Sequence, residues 1–163
     1  MSQPTPYALS QHLTDLIGRK VSFTQTTASM ESSVKYVYGI YKVLPYDTAI
    51  VVKTELPLLG SFAGVLVGLP DEDVKERLKV SPVEELLRDA MYEVLNITST
   101  VVTTEGRAIF EKMVFDKAYV DGKAGTVMLK PGHRSYFDVA VDGYQGGKFT
   151  VLAPLQPVMP AGA

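Results

Sequence analysis

From residue 81 to 102 the apolar positions recur at the spacing of a helix, about 100° apart when viewed down its axis. Leu86, Ala90, Ile97, Val83, Val101, Val94, Leu87 and Thr98 sweep one broad arc. Arg88, Ser99, Tyr92, Glu85, Asn96, Asp89, Thr100 and Glu93 occupy the opposite one. Ser81 suits an N-cap, Pro82 a first helical position, and Glu84 the third position of a capping box. The pattern therefore predicts the longest helix of the chain, with one side to bury and one in water. Leu9, Leu13, Leu16 and Ile17 repeat at the same period and predict a helix from Pro6 to Ile17, closed by Gly18. A short charged helix is predicted over 70–79, with acids at its start and bases at its end, as the helix dipole favours.

Elsewhere the pattern turns to β-branched and aromatic runs between turn residues, which predict strands. These fall at 21–27, 34–44 and 48–54, the last two joined through Pro45-Tyr46-Asp47. A polar loop is expected at 28–33. Residues 61–69 are read as the next strand of a meander, after a turn-rich connection. Past the long helix, strands are predicted at 107–115, 125–130, 135–141 and 148–153, with turns at Asp121-Gly122 and Pro131-Gly132. Strands in runs and helices in a block predict an α+β domain, an antiparallel β-sheet with long helices packed on one face. That domain spans 6–153, with 1–5 and 154–163 as flexible termini. Exposed sheet edges admit a homodimer or a paired partner strand.

Composition narrows the function. At 163 residues the chain suits one domain with a real core. With 46% hydrophobic and 21% charged residues it has a globular composition. A formal net charge of −2 leaves no electrostatic footprint for nucleic acid. The absence of cysteine removes disulfides, thiolate metal sites and thiol nucleophiles. The N-terminal residues do not read as a signal peptide, and the apolar stretch 56–69 is too short and too broken to span a bilayer. A cytoplasmic protein is expected.

Candidate chemistry is sparse. The tyrosines at 36, 38 and 41 lack the interleaved bases of a nucleic-acid platform and read as sheet packing. Gly64 and Gly68 belong to no phosphate-binding loop. Asp71-Glu72-Asp73 lacks the spacing of a calcium loop and reads as a solvated helix start. His12 reads as an edge-of-core residue and His133 as a solvent-facing turn residue. What rises above this background is Glu93 and Asn96, three apart and so neighbours on the outer face of the long helix.

Around that pair the chain resembles a known family. An N-terminal helix is followed by a meander containing Tyr38-Gly39-Ile40-Tyr41 and by an Ala/Gly-rich segment. An acidic short helix, a long helix with Glu-x-x-Asn, and a terminal strand reading Gly147-Lys-Phe-Thr-Val151 complete the order. This resembles the CheC/CheX/FliY family of chemotaxis phosphatases, in a CheX-like form, over residues 6–153. The family motif, an acid or Ser, then Glu, then Asn, corresponds to Asp89, Glu93 and Asn96, in a single copy. Two features of the family pattern are missing. Thr100 stands where a small residue is common four after the Asn, and the region around residues 116–120 lacks a frequent proline.

The resemblance implies a phosphatase that accelerates dephosphorylation of a CheY-type response regulator. Asn96 would orient the in-line water, Glu93 would anchor the partner, and Asp89 would support them. The resemblance implies no cofactor in this chain, the Mg2+ being supplied by the partner regulator. A non-catalytic interaction or dimerisation module on the same fold is the alternative.

Overall fold

A computed structural model describes residues 3–27, 33–156 and 159–160. Most of the expected polar loop at 28–33, and parts of both expected flexible termini, lie outside the described residues. Helix α1 (Pro6–Ile17) leads to strands β1 (Val21–Thr26), β2 (Tyr36–Leu44) and β3 (Thr48–Glu55). Three helices follow: α2 (Leu56–Val67), α3 (Asp71–Leu78) and α4 (Glu85–Thr98). Strand β4 (Arg107–Val114), a single 3₁₀ turn (Lys117–Tyr119), helix α5 (Gly122–Leu129) and strands β5 (His133–Val141) and β6 (Tyr144–Ala153) complete the chain. The strands form one six-stranded antiparallel sheet in the order β1-β5-β6-β3-β2-β4. The α+β class expected from the sequence is the one found.

Helix α1 begins at Pro6, where the sequence predicts, and Thr5, assigned there to the flexible terminus, is its cap. The Thr5 hydroxyl accepts from the Ala8 N–H at 3.1 Å, and Gly18 closes the helix in the left-handed region at φ 71°. Its hydroxyls then do something the periodicity could not forecast. The Val21 N–H donates to Thr14 Oγ1 (3.0 Å), and the Phe23 N–H donates to Ser10 Oγ (2.8 Å). Two outward-facing donors of the edge strand β1 are thereby satisfied from within the domain. On the other side of α1, the His12 ring is partly buried. Burial lowers its pKa, against the pull of the Ile97 carbonyl and Asp15, and its Nε2 has no partner in hydrogen-bonding geometry among the described residues.

The stretch 61–69 is a helix rather than a strand. Helix α2 is apolar on nearly every side and buried from Leu58 to Gly64, so it shows no amphipathic stripe to distinguish it from a buried strand. Pro57 in its first turn and Gly68 at its C-cap (φ 77°) fix its limits. Gly60 and Gly64 face α3, where an added Cβ would meet Leu78 and Val74. The two glycines let α3 lie against α2 at close range.

Residues 125–130 also depart from the expected strand and belong to α5. Ala124 and Val127, three apart, are its buried residues. With Tyr38, Ile40, Ala49, Val51 and Leu152 they form a small core on one face of the sheet. The large core fills the other face, under α1, α2 and α4. The sheet is thus covered on both faces, fully on one and locally on the other.

The long helix is shorter than predicted. Ser81–Pro82 is a cis peptide, Glu84 is the N-cap, and no capping box forms. At the other end, Ser99, Thr100 and Val101 donate to the carbonyls three residues back, so the helix tightens and ends after Thr98. Its buried stripe is Leu87, Ala90, Met91, Val94, Leu95 and Thr98. Met91 and Leu95, omitted from the expected apolar arc, are fully buried, whereas Leu86 is 49% exposed. The inward face is therefore rotated relative to the sequence reading, and the expected polar arc keeps its place.

Two features of β2 seat α4. Gly39 leaves the space that the Leu95 side chain fills: a Cβ there would lie 3.2 Å from Leu95 Cδ2. Tyr41, wholly buried, donates its hydroxyl to the Leu95 carbonyl at 2.7 Å. The tightening of the last turn has freed that carbonyl from the helical ladder. Burial drives the Tyr41 phenol far above its ordinary pKa, so the hydroxyl keeps its proton and remains a donor.

Two substitutions test this packing. Gly64→Val should cost about 1–3 kcal/mol in chemical denaturation by forcing α3 off α2. A strand at 61–69 would instead accommodate a β-branched residue. Tyr41→Phe should cost about 1–3 kcal/mol by leaving the Leu95 carbonyl buried without a donor, read in the same assay.

Candidate functional site

Asp89, Glu93 and Asn96 are exposed and lie on the outward side of α4. Asp89 and Glu93 are four apart and Glu93 and Asn96 three apart, so the three form one ladder about 10 Å long. None of their side chains makes a hydrogen bond or ion pair among the described residues, which leaves their polar atoms available to a partner. The opposite side of the helix carries the fully buried Leu87, Met91 and Leu95, so these polar groups project from a rigid element. The peptide unit joining Leu95 to Asn96 is the one whose carbonyl Tyr41 holds. Asn96 therefore has a fixed backbone beneath a free side chain.

Asn96 also lines a shallow cleft of about 470 Å³ between the end of α4 and the start of β4. Phe110 and Ala108 form part of its wall, and Ser99, Thr100, Thr103 and Arg107 supply polar atoms. Tyr92 stands edge-on to Phe110 at 4.8 Å, which ties the outer side of α4 to β4. The connection between the two elements is shaped locally. Thr103 Oγ1 accepts from the Glu105 N–H (3.1 Å) and donates to the Glu105 carbonyl (3.0 Å). Gly106 then adopts φ 72°, with the Leu44 carbonyl where a Cβ would sit, so glycine is required there. Arg107 follows at once and is exposed.

The residues set aside on sequence grounds have ordinary surroundings. Asp71 accepts from the Gln145 N–H (3.0 Å) and pairs with Lys75 (3.0 Å) at the start of α3. His133 opens β5 rather than sitting in a turn, is partly buried, and bonds Gln3 (3.1 Å) and the Leu155 carbonyl (3.2 Å). Among the described residues no group of three His, Asp or Glu side chains is placed to hold a metal ion. No helix among them is long and apolar enough to cross a membrane. Arg107 and the cleft escaped the sequence reading, because they depend on how the end of α4 meets an edge strand. The one local signal was the glycine before Arg107.

No protein-family pattern matches the chain, and no curated protein matches it in sequence. Similarity appears among solved structures. The middle domain of FliM from H. pylori superposes with a TM-score of 0.54 at 11% identity, covering 92% of this chain and 85% of that one. FliY from Thermotoga maritima gives 0.53 at 13% identity, covering 92% and 81%. The FliM middle domain from Vibro alginolyticus gives 0.50 at 14% identity, covering 91% and 88%. The likeness runs over nearly the whole chain, and FliY is a member of the family that the motif order resembles. The fold of this chain is the one shared by FliY and the FliM middle domains.

Proposed function

We propose that this protein is a phosphatase acting in trans on the aspartyl phosphate of a CheY-type response regulator. The observation that carries the reading is the free, exposed pair Glu93 and Asn96, one turn apart on a helix whose far side is locked into the core. Hydrolysis of an acyl phosphate needs little covalent help. The water oxygen forms a bond to phosphorus as the bond to the aspartyl oxygen breaks, the carboxylate leaves with the electron pair, and inorganic phosphate is released. Positioning and electrostatics govern the rate of such a step. Asn96 suits the first task, since its amide oxygen accepts from the water, its NH₂ donates to a phosphoryl oxygen, and it brings no charge that repels phosphate. Glu93 anchors the regulator by pairing with a lysine beside the phosphorylated aspartate, and Asp89 supports the acidic face one turn back. The Mg2+ in this scheme belongs to the regulator.

A second reading rests on the fold. FliM from H. pylori, which shares it, has been crystallised in complexes with FliG and with SpeE. On that reading the present chain is an interaction module whose polar helix face is merely solvated.

Phosphate release from a phosphorylated CheY-type regulator separates the two. Asn96→Ala should lower the rate at saturation by about 100-fold, in line with loss of a positioned polar group, while stability changes by less than about 0.5 kcal/mol. Glu93→Lys should raise the half-saturating concentration of the regulator about tenfold or more, by reversing a charge at the contact. If the native protein fails to speed phosphate loss from any of several regulators, the interaction module stands instead.

A further inference from the structure

The site as drawn has an electrostatic difficulty. Asn96 lies in the last turn of α4, where the helix dipole places partial negative charge. Glu93 and Asp89 add two carboxylates to the same face. A phosphoryl group brought to Asn96 would enter a field that repels it; the regulator's own Mg2+ and lysine offset part of that field, and a cation of this chain beside Asn96 would offset more.

Arg107 is that cation. It is the charged residue among those lining the cleft that Asn96 also lines, and it reaches the cleft from β4, across from the helix. Its guanidinium makes no hydrogen bond or ion pair among the described residues, although Glu93 and Asp89 lie on the neighbouring helix. A guanidinium with five donors in a planar fork matches the oxygens of a phosphoryl group. The Gly106 turn and the pairing of Arg107 with Leu44 of β2 fix where its backbone starts.

We propose that Arg107 is the anion-binding residue of this site and contacts a phosphoryl oxygen of the group presented to Asn96. The identity of that group rests on the phosphatase reading above; the anion site itself does not. In the hydrolytic step, charge spread over the equatorial oxygens would be met by Arg107 while Asn96 holds the water.

Two measurements on the full chain test this separately. In the first, orthophosphate is titrated into isotopically labelled protein while the Asn96 side-chain amide and the Arg107 Nε–H are followed by NMR. Both signals should move along one saturation curve, and Arg107→Gln should abolish the Asn96 response. An Asn96 amide that stays still, or that moves equally in Arg107→Gln, overturns the proposal. In the second, Arg107→Gln should lower the saturating rate of phosphate release from a phosphorylated regulator by about tenfold or more. The half-saturating concentration and thermal midpoint should hardly change, and Arg134→Gln on β5 serves as the control for lost positive charge. A full rate in Arg107→Gln overturns the proposal even if orthophosphate binds. If the native protein gives no acceleration but orthophosphate still binds through Arg107, the phosphatase reading fails and the anion site stands.

Discussion

One buried hydrogen bond fixes the backbone from which Asn96 projects. The Tyr41 hydroxyl reaches the Leu95 carbonyl from the sheet side, and the adjoining peptide nitrogen belongs to Asn96. The bond depends on two local events that occur far apart in sequence. The end of α4 must tighten so that its own ladder releases the carbonyl, and Gly39 must stay without a side chain so that Leu95 can settle onto β2. The Tyr-Gly-Ile-Tyr segment therefore has a physical reason. Gly39 and Tyr41 face α4 and seat it, while Tyr38 and Ile40 face the other way and build the small core beneath α5. A single strand thereby serves both layers.

Much of this was readable from the chain, and what failed did so for identifiable reasons. Helix α1, strands β2 to β4 and the charged α3 have strong local signals, an apolar stripe closed by glycine, β-branched runs or ordered charge, and they lie where those signals put them. Helix α2 was misread because its core setting removes the polar face on which helical periodicity depends. Its Pro57 and Gly68 were better guides than its hydrophobicity. Helix α5 is only eight residues long, and its two buried residues are too few to establish a period. The rotation of the inward face of α4 has a similar origin. Leu86 and Met91 are both apolar, and only the location of α2 and β2 decides which one is buried.

The candidate site divides along the same line. Glu93 and Asn96 were legible because a spacing of three on a helix is a local fact, independent of the rest of the fold. The cleft beside Asn96 was not, since it arises where a helix end meets the edge strand β4 across a glycine turn. Arg107 read simply as the start of a strand. Residues brought together by tertiary structure leave little trace in a window of neighbouring positions. The fold itself, shared with FliY and FliM at identities of 14% or less, shows how loosely sequence constrains such long-range arrangements.

The hydroxyls of Ser10 and Thr14 give the sheet a lopsided character. They occupy donors on the outer margin of β1, whereas β4 forms the margin at the far end. A strand arriving from another molecule would find two of β1's outward donors already taken, which weakens pairing there relative to pairing beside β4. Two copies meeting there would each cover the other's β4 margin and leave only the partly occupied β1 margin for further growth. Two small side chains on the first helix thus raise the cost of adding a strand at one end of the sheet, which disfavours open-ended growth through both edges.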